Sequence, residues 1–393
     1  MPNETVRLAS HRKSRPIHEN LDSVAADRNT ARELVIAYGW NATAYQILNP
    51  GIEHWFSSAG GAVVGYARRG NVLLAAGSPV CDRKALASVC AEFEAFAHDE
   101  GCRVCYVCAE ERLRALLAQS SGHAIIAMGA QPAWDPRAWP NVVARRASLR
   151  AQLYRARNKG VEVEGIDAAK AASDPELRRV LRQWIEGRRL PPLHFLVEPS
   201  VLDGELRDRV VLVARRHGSP VAFLVASPVR ARNGYLVELL ARSGAAPNGA
   251  SELLIDAAMR RFAAEGCDYA TLGLVALAHA SDGEIGRNPA WLRMLMYFAR
   301  AHANRFYNFR GLERFRVKMA PGRWEAVYAI SNEPRFSLFT LYAIGGAFSG
   351  ISPWAAIAIG LGKAAGEEIH ALARFARRRT AIAKTRSSPS PLS

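Results

Sequence analysis

The sequence has few acidic residues for its length, and it shows neither a disulfide framework nor a secretion signal. It contains 36 Asp and Glu against 52 Lys and Arg, a formal net charge of +16. The six cysteines do not form the framework of a small secreted protein, and residues 1–30 lack the apolar core of a signal peptide. We therefore expect a cytoplasmic protein with an anionic partner, which is nucleic acid, anionic lipid or a phosphorylated substrate.

A set of metal ligands is also missing. Cys102, Cys105 and Cys108 have a spacing that superficially suggests a metal or iron–sulfur site. Their stretch, CRVCYVCA, nevertheless has the apolar and β-branched composition of a buried strand, and a fourth ligand is not nearby. We predict a reaction that uses neither a metal nor a cofactor.

The chain is long enough for two domains, and its pattern of elements occurs twice. A predicted hairpin, helix and strand follow one another in GAVVGYARRGNVLLAAGSPV, ALASVCAEFEAFAHDEG and CRVCYVCA. A second hairpin and two further strands surround another helix in RVVLVARRHGSPVAFLVASPV, GYLVELLA, APNGASELLIDAAMRRFAAEGC and DYATLGLV. This repetition predicts two tandem α/β domains of one fold.

The helix of the second unit has a clear apolar face and a glycine loop before it. Leu254, Ala258 and Phe262 recur at four-residue steps, and Gly266 is placed to end the helix. Asn248 and Ser251 are candidate caps for its first N–H groups. A strand, a glycine loop and a helix N-terminus can hold an anion, whereas an ordinary βαβ crossover is the alternative.

A basic stretch joins the two units. Six Lys and Arg residues and no acid occur between residues 145 and 159, and Gly160 is placed to end a helix there. Leu149, Leu153 and Tyr154 are available for packing. The charges form either a solvated linker face or a surface for a polyanion.

Several long motifs resemble one known family. APNGASELLIDAAM, LGLVALA and FYNFRGLERFRVKMAPGRWEAVY are similar to the C-terminal synthase domain of the phosphatidylglycerol lysyltransferases, also called multiple peptide resistance factors. YQILNPGIEHWF, GSPVC, GAQPAWDPRAW and SLRAQLYRARNKGVEV resemble the earlier half of that domain, so the resemblance covers residues 41–330.

This resemblance implies a fold and an activity. The fold class is α/β, with two tandem acetyltransferase-like (GNAT) folds joined by a basic helix and a C-terminal apolar helical segment. The implied enzyme is an aminoacyltransferase that moves an amino acid from aminoacyl-tRNA to a hydroxyl of a membrane lipid. We expect a form without the multi-helix membrane domain that precedes the synthase in full-length lysyltransferases. The expected ranges are 1–30 for a mobile leader, 31–143 and 166–332 for the two folds, 144–165 for the basic linking helix and 333–393 for an apolar membrane-associating segment with a basic tail.

Fourteen residues are candidates for the site. Glu238 ends a predicted central strand, where it could act as a base or hold the incoming α-amine. Tyr307, Asn308, Arg316 and Lys318 match the final motif of the family. For Glu252, the alternative role is to complement the dipole of the helix. The set comprises Glu238 and Arg242 as catalytic residues, Asn248, Gly249, Ser251, Glu252, Tyr307, Asn308, Arg316 and Lys318 for substrate, and Arg150, Arg155, Arg157 and Lys159 for phosphates of tRNA or lipid.

Two other functions remain open at this point. An acetyl-CoA-dependent N-acyltransferase is disfavoured because Ala246 stands where the CoA-binding loop has Gln or Arg, and Ser251 replaces its last small residue. A non-catalytic module that binds membrane or nucleic acid is the second alternative, and a blocked pocket near Glu238 and Arg242 would favour it. His194 is a further candidate for proton transfer because histidine is the residue type suited to it near neutral pH, although a lone histidine is more often structural.

Residues 336–362 form an uncharged stretch of 27 residues, FSLFTLYAIGGAFSGISPWAAIAIGLG. Gly345, Gly346, Gly350 and Pro353 are expected to break it into two shorter apolar pieces. The tail after it is basic, which disfavours export across the membrane. We predict interfacial helices or a hairpin on the cytoplasmic face of the cell membrane, with a transmembrane span and a hairpin that caps the core as alternatives.

Overall fold

The structure, a computed structural model, describes residues 17–188, 194–197, 199, 201–204, 206–302 and 309–349. Its β-strands are β1 Glu53–Phe56, β2 Ala62–Arg69, β3 Val72–Ala76, β4 Val80–Cys81, β5 Arg103–Ala109, β6 Ala124–Trp134, β7 Val161–Ile166, β8 Val210–Arg216, β9 Ser219–Val229, β10 Gly234–Arg242, β11 Tyr269–Thr271, β12 Val275–Ala276 and β13 Arg323–Ser331. Its α-helices are α1 Ile17–Tyr38, α2 Leu86–Asp99, α3 Glu111–Leu117, α4 Trp139–Arg145, α5 Ala147–Asn158, α6 Ala168–Ser173, α7 Pro175–Glu186, α8 Ala250–Ala264, α9 Asp282–Ile285, α10 Ala290–His302, α11 Phe309–Lys318 and α12 Leu338–Ser349.

The strands of both halves join into one mixed sheet in the order β1-β2-β3-β5-β13-β6-β11-β10-β9-β8-β7. β4 pairs with β2, and β12 pairs with β6. The predicted α/β class and the doubled order of elements are confirmed. The expected ranges placed β13 with the second fold, but it lies between β5 and β6 of the first and runs antiparallel to both. The two halves are therefore interlocked by the last strand.

Helix α8 packs by the face that its sequence predicts. Leu254, Ala258 and Phe262 are each fully buried, and the Phe262 ring stacks on Tyr235 of β10 with centroids 4.4 Å apart. Burial of a Leu or Phe side chain contributes about 1.5–3 kcal/mol. This packing fixes α8 on the half of the sheet that contains β10.

The predicted cysteine strand is β5, at the centre of the first half. Cys105 and Cys108 are buried. Burial raises the pKa of the Cys108 thiol to about 12, so this thiol is neutral and unreactive at physiological pH. The prediction that CRVCYVCA is a buried strand is confirmed.

The segments before and between the two folds differ from their predictions. Helix α1 covers residues 17–38, so helical structure begins inside the expected leader, and Ala31 and Val35 are buried in the core. The basic linking region is two helices, α4 and α5, because Arg146 between them has an extended backbone. Leu149 and Leu153 are buried as expected, whereas Tyr154 is 62% exposed. Residues 161–166 at the end of the expected linker form β7.

The apolar C-terminal stretch lies partly outside the described residues. Its first part forms α12, in which Ala343, Ile344 and Ala347 are buried in the same apolar cluster as residues of β2 and β3. Gly345 and Gly346 lie within this helix, so the prediction that they interrupt it is wrong, because burial of the neighbouring side chains offsets the low helix propensity of glycine. Residues 350–393, including Gly350, Pro353 and the basic tail, are outside the described residues. Over the described part of the chain, no helix is both long and apolar enough to cross a bilayer.

Candidate active site

A cavity of about 860 Å³ opens where residues of both halves meet. Its walls come from the start of α2, from α3, from β13 and from the short turn that joins β9 to β10. The polar and aromatic side chains that line the cavity include Trp40, Arg83, Lys84, Glu110, Arg112, Arg232 and Glu325. The first five belong to the first half, and the last two come from the interlocked second half.

The backbone brings these side chains to one place. Glu110 directly follows β5, and its carbonyl accepts hydrogen bonds from the first turn of α3. Arg232 precedes Asn233, whose left-handed backbone (φ 46°) reverses the chain between β9 and β10. Glu325 projects from β13. The position of β13 in the sheet is therefore what places Glu325 near Glu110.

A buried ionic network forms one wall of the cavity. Arg232 donates to Oε2 of Glu110 at 2.9 Å and forms two bonds to Glu325, at 2.6 and 2.9 Å. The Arg232 side chain is only 9% exposed, and its guanidinium lies 3.6 Å from the ring centroid of Tyr269. Two carboxylates thus share one desolvated cation, so Arg232 keeps an acidic partner when the charge of either carboxylate is lost.

Neutral donors complete the shell of Glu110. Its Oε1 accepts from the backbone N–H of Ala42 at 2.6 Å and from the Gln131 amide at 3.0 Å. Gln131 also reaches the Tyr269 hydroxyl and Glu325, at 3.3 and 3.2 Å. Both oxygens of the Glu110 carboxylate are therefore hydrogen-bonded although Glu110 is 4% exposed, and Oε2 accepts only the bond from Arg232 among the described residues.

The two carboxylates differ in their acidity. Burial raises the pKa of Glu110, against the opposing effects of Arg232 and the donors from Ala42 and Gln131. Burial also opposes ionisation of Glu325, but the hydrogen bonds and charge of Arg232 outweigh it and lower the pKa of Glu325. Glu110 is the more basic of the pair and thus the better proton acceptor.

The structure places the leading predicted residue, Glu238, in a different environment. It lies on β10 in a buried ion pair with Arg209, and Gln46 donates to its Oε2 at 2.7 Å. The side chains of Arg209 and Glu238 are 4% and 10% exposed. Glu238 does not line the cavity. This geometry suits a residue that joins the two halves through Gln46.

The predicted loop residues have few polar contacts. Arg242 and Asn248 are exposed, and Gly249 begins α8 with a left-handed backbone (φ 97°). The structure shows no side-chain cap on α8, so the predicted capping by Asn248 or Ser251 is wrong. A Cβ at Gly249 would lie 2.2 Å from the Gln152 carbonyl oxygen of α5, which explains the glycine. Helix α5 therefore packs against the start of α8.

Two predicted substrate residues pair with each other. Lys318 of α11 forms an ion pair with Glu252 in the first turn of α8, and Glu252 is buried. Arg316 donates to the Leu272 carbonyl at 2.8 Å. Tyr307 and Asn308 lie outside the described residues. His194, whose backbone N–H donates to Phe348 at 2.8 Å, is not among the cavity-lining residues.

The predicted phosphate-binding arginines on α5 have divided roles. Arg157 pairs with the buried carboxylate of Asp256 on α8 at 3.1 Å. Arg150 donates to backbone carbonyls at the end of α4. Arg155 and Lys159 remain exposed. The expectation that all these charges lack compensation within the protein is therefore wrong for Arg157.

Sequence reasoning missed Glu110, Arg232 and Glu325. Glu110 and Arg232 lie next to predicted strands, whereas no strand was predicted around Glu325; Arg232 is separated from Glu110 by 122 residues and from Glu325 by 93 residues along the chain. A usable signal was the acidic pair Glu110 and Glu111 directly after the buried strand β5, because polar residues at strand ends commonly supply sites.

Comparison with known proteins identifies the family. The family described as "Phosphatidylglycerol lysyltransferase, C-terminal" matches residues 32–331. Phosphatidylglycerol lysyltransferases of Bacillus subtilis (strain 168) and of Staphylococcus epidermidis are each 22% identical, over 85% and 82% of this chain. The chain spans 38% and 37% of the length of these relatives.

Two solved structures share the fold. L-PGS from Bacillus licheniformis has a TM-score of 0.67 and 20% identity, over 81% of this chain and 95% of the other. The C-terminal domain of a protein provisionally named lysylphosphatidylglycerol synthetase, from Agrobacterium fabrum, has a TM-score of 0.69 and 22% identity, over 83% of this chain and 97% of the other. The chain with this cavity and interlocked sheet belongs to the phosphatidylglycerol lysyltransferase C-terminal family.

Proposed function

We propose that the chain is an aminoacyltransferase that moves an amino acid from aminoacyl-tRNA to a hydroxyl of a membrane lipid such as phosphatidylglycerol. The observation that carries the proposal is the cavity between the two halves, with a buried, basic carboxylate at its wall, in a chain of this family. Aminoacyl-tRNA is an activated ester, so the enzyme mainly has to align the two substrates and move a proton.

Glu110 is the proposed proton acceptor. It takes the proton of the lipid hydroxyl while that oxygen attacks the carbonyl carbon of the aminoacyl ester. The new ester C–O bond forms, the bond to the ribose oxygen breaks, and the proton passes from Glu110 to that ribose oxygen. A carboxylate with a raised pKa suits both directions of this transfer.

Glu238 is the weaker choice for this step. Its carboxylate is held by the buried ion pair with Arg209 and by the Gln46 amide, and it does not line the cavity. In contrast, Arg232 keeps its two bonds to Glu325 when Glu110 is protonated. The network therefore tolerates a change of charge at Glu110 better than the Arg209 pair does at Glu238.

The structure gives less support to the two alternatives. The first turn of α8, where CoA would place its pyrophosphate, is packed by α5 and by the pair of Glu252 with Lys318. A non-catalytic module was expected to have a blocked pocket near Glu238. That position is indeed filled by Arg209 and Gln46, but the cavity beside Glu110 is open.

We propose that α10 brings the protein to the cytoplasmic face of the membrane. Met294, Tyr297 and Phe298 are 74%, 60% and 62% exposed on this helix. Trp291 is 37% exposed on the same helix, and exposed Arg287 precedes it. Aromatic and basic side chains on one amphipathic helix favour the interface of an anionic bilayer, which is where a lipid acceptor lies.

Transfer in a purified system tests the function. The chain is mixed with tRNA charged with labelled amino acids and with vesicles that contain phosphatidylglycerol, and the lipid is extracted. We expect label in the lipid, no label after ribonuclease treatment, and a loss of at least about 100-fold in Glu110→Gln, the usual scale of general-base catalysis. Glu100→Gln, which alters an exposed carboxylate paired with Arg68, is the matched control.

Two results would count against this proposal. Transfer that survives ribonuclease would rule out a tRNA donor, and restoration by acetyl-CoA would favour the N-acyltransferase. Normal transfer by Glu110→Gln would remove Glu110 from the mechanism while leaving the donor and acceptor in place.

A further inference from the structure

Arg112 is a partly buried cation in the cavity that forms no salt bridge with any described residue. Nε and Nη2 of Arg112 on α3 are buried, and neither has a hydrogen-bond partner among the described residues. The guanidinium instead lies over the Trp40 ring, 5.6 Å from its centroid. A buried donor without a partner is unfavourable, so an anion that reached Arg112 would remove an energetic cost of the free protein.

The neighbouring charges make this side of the cavity positive. Arg83 and Lys84 line the same space and are exposed. Within the described part of the chain, none of Arg83, Lys84 and Arg112 forms an ion pair. Burial lowers the pKa of Arg112, and the nearby charge of Arg83 lowers it further, so a bound anion would also relieve repulsion.

The carboxylates of the cavity do not cancel these charges. Glu110 and Glu325 are paired with Arg232, and Glu111 forms two bonds of 2.6 Å to Arg114. Asp82 accepts a hydrogen bond from the backbone N–H of Lys84. The cavity therefore has an ionic wall at Glu110 and a second, cationic wall at Arg112.

We propose that Arg112, with Arg83 and Lys84, seats the phosphodiester of an anionic phospholipid headgroup. The guanidinium turns from Trp40 toward the cavity and forms charge-assisted bonds to the phosphate oxygens. Leu86, Ala87 and Leu116 also line the cavity and offer apolar contact to the glycerol backbone and the first acyl carbons. The choice of a lipid over another phosphodiester rests on the proposed function, because the hydroxyl of such a headgroup would extend toward Glu110.

Binding of a soluble lipid tests this site without any transfer reaction. The probe is dihexanoyl phosphatidylglycerol in monomeric form, titrated into the full chain by calorimetry, with dihexanoylglycerol and inorganic phosphate as comparison ligands. We expect Arg112→Gln to weaken binding of the probe by at least about tenfold, as loss of a charge-assisted bond predicts. Arg68→Gln, a change at an exposed arginine that does not line the cavity, should bind normally.

A second variant tests the site in case Arg112→Gln does not fold. Arg83→Gln combined with Lys84→Gln changes only exposed side chains and should also weaken binding, by a smaller factor. Equal binding in all variants would overturn the proposal. So would equal binding of dihexanoylglycerol, or of inorganic phosphate at the affinity of the lipid, which would make this a free-phosphate site.

Three further outcomes separate this proposal from the proposed function. Arg112-dependent binding of an RNA acceptor-stem minihelix, without binding of the lipid, would overturn the lipid assignment. Lipid binding that depends on Arg112, in a protein that transfers no amino acid, would support the phosphate-binding site and refute the proposed transferase function. If the protein transfers an amino acid but its lipid binding does not depend on Arg112, only the proposed phosphate-binding site is refuted.

Discussion

At the scale of single residues, Glu110 and Glu238 show that two side chains of the same type can have different roles. Both are carboxylates that pair with arginine, but Glu110 directly follows β5, whereas Glu238 lies in the middle of β10 and not at the end of its strand as predicted. Arg209 has Glu238 as its acidic partner in a nearly closed environment, whereas Arg232 is shared between Glu110 and Glu325. We therefore expect Glu238 chiefly to stabilise the fold and Glu110 to accept the proton in the reaction.

Unfolding measurements on two variants check this division. We expect Glu238→Gln to lower the free energy of unfolding by about 3 kcal/mol, because it breaks the buried ion pair between Glu238 and Arg209. Glu110→Gln should cost less than about 1 kcal/mol, because Arg232 keeps Glu325 and burial already favours a neutral group at position 110. Denaturant titration with Glu100→Gln as the exposed control gives both values.

The opposite pattern would contradict the assignment. A Glu238→Gln protein that unfolds like wild type but no longer transfers an amino acid would restore Glu238 as the catalytic carboxylate. The sequence identified Glu238 because it precedes the glycine loop. It could not reveal Arg209, since the contact depends on the fold of the whole second half.

At the scale of elements, sequence periodicity was most reliable where one face packs locally. The apolar face of α8 was predicted residue by residue, and so was the buried strand β5. The positive charge of α5 was also evident from the sequence, but the residues that pair with its arginines were not. Asp256 lies 99 residues beyond Arg157, on another helix, so no local pattern could show that this arginine is neutralised.

Helix α5 gives a prediction about tRNA binding. If Arg155 and Lys159 contact phosphates, the Arg155→Gln, Lys159→Gln double variant should reduce the salt slope of log affinity by about 1.5, at roughly 0.7–0.9 for each contact. The slope is measured by filter binding of aminoacyl-tRNA over a salt series. The Arg68→Gln, Arg287→Gln variant has the same loss of formal charge and should keep the wild-type slope.

An unchanged slope in the α5 variant would return that helix to a purely structural role. Arg150 and Arg157 are unsuitable for this test. Their contacts to α4 and to Asp256 mean that their removal would change packing as well as charge.

At the scale of the whole molecule, the doubled pattern was visible in the sequence but the interlocking was not. Each hairpin, helix and strand is local, whereas β13 pairs with β6 at a separation of about 195 residues, as in the pair of Glu325 with Gln131. Nothing in the apolar alternation of β13 specifies which strands it joins. The site depends on that pairing, because Glu325 reaches Arg232 only from there.

The most direct test of the central claim is lipid mass spectrometry of cells that express the chain, its Glu110→Gln variant at equal protein level, or neither. The account predicts a phospholipid with the added mass of one amino acid residue in cells with the wild-type chain, and little or none with the variant. An unchanged lipid profile in cells that contain folded wild-type protein would contradict this activity.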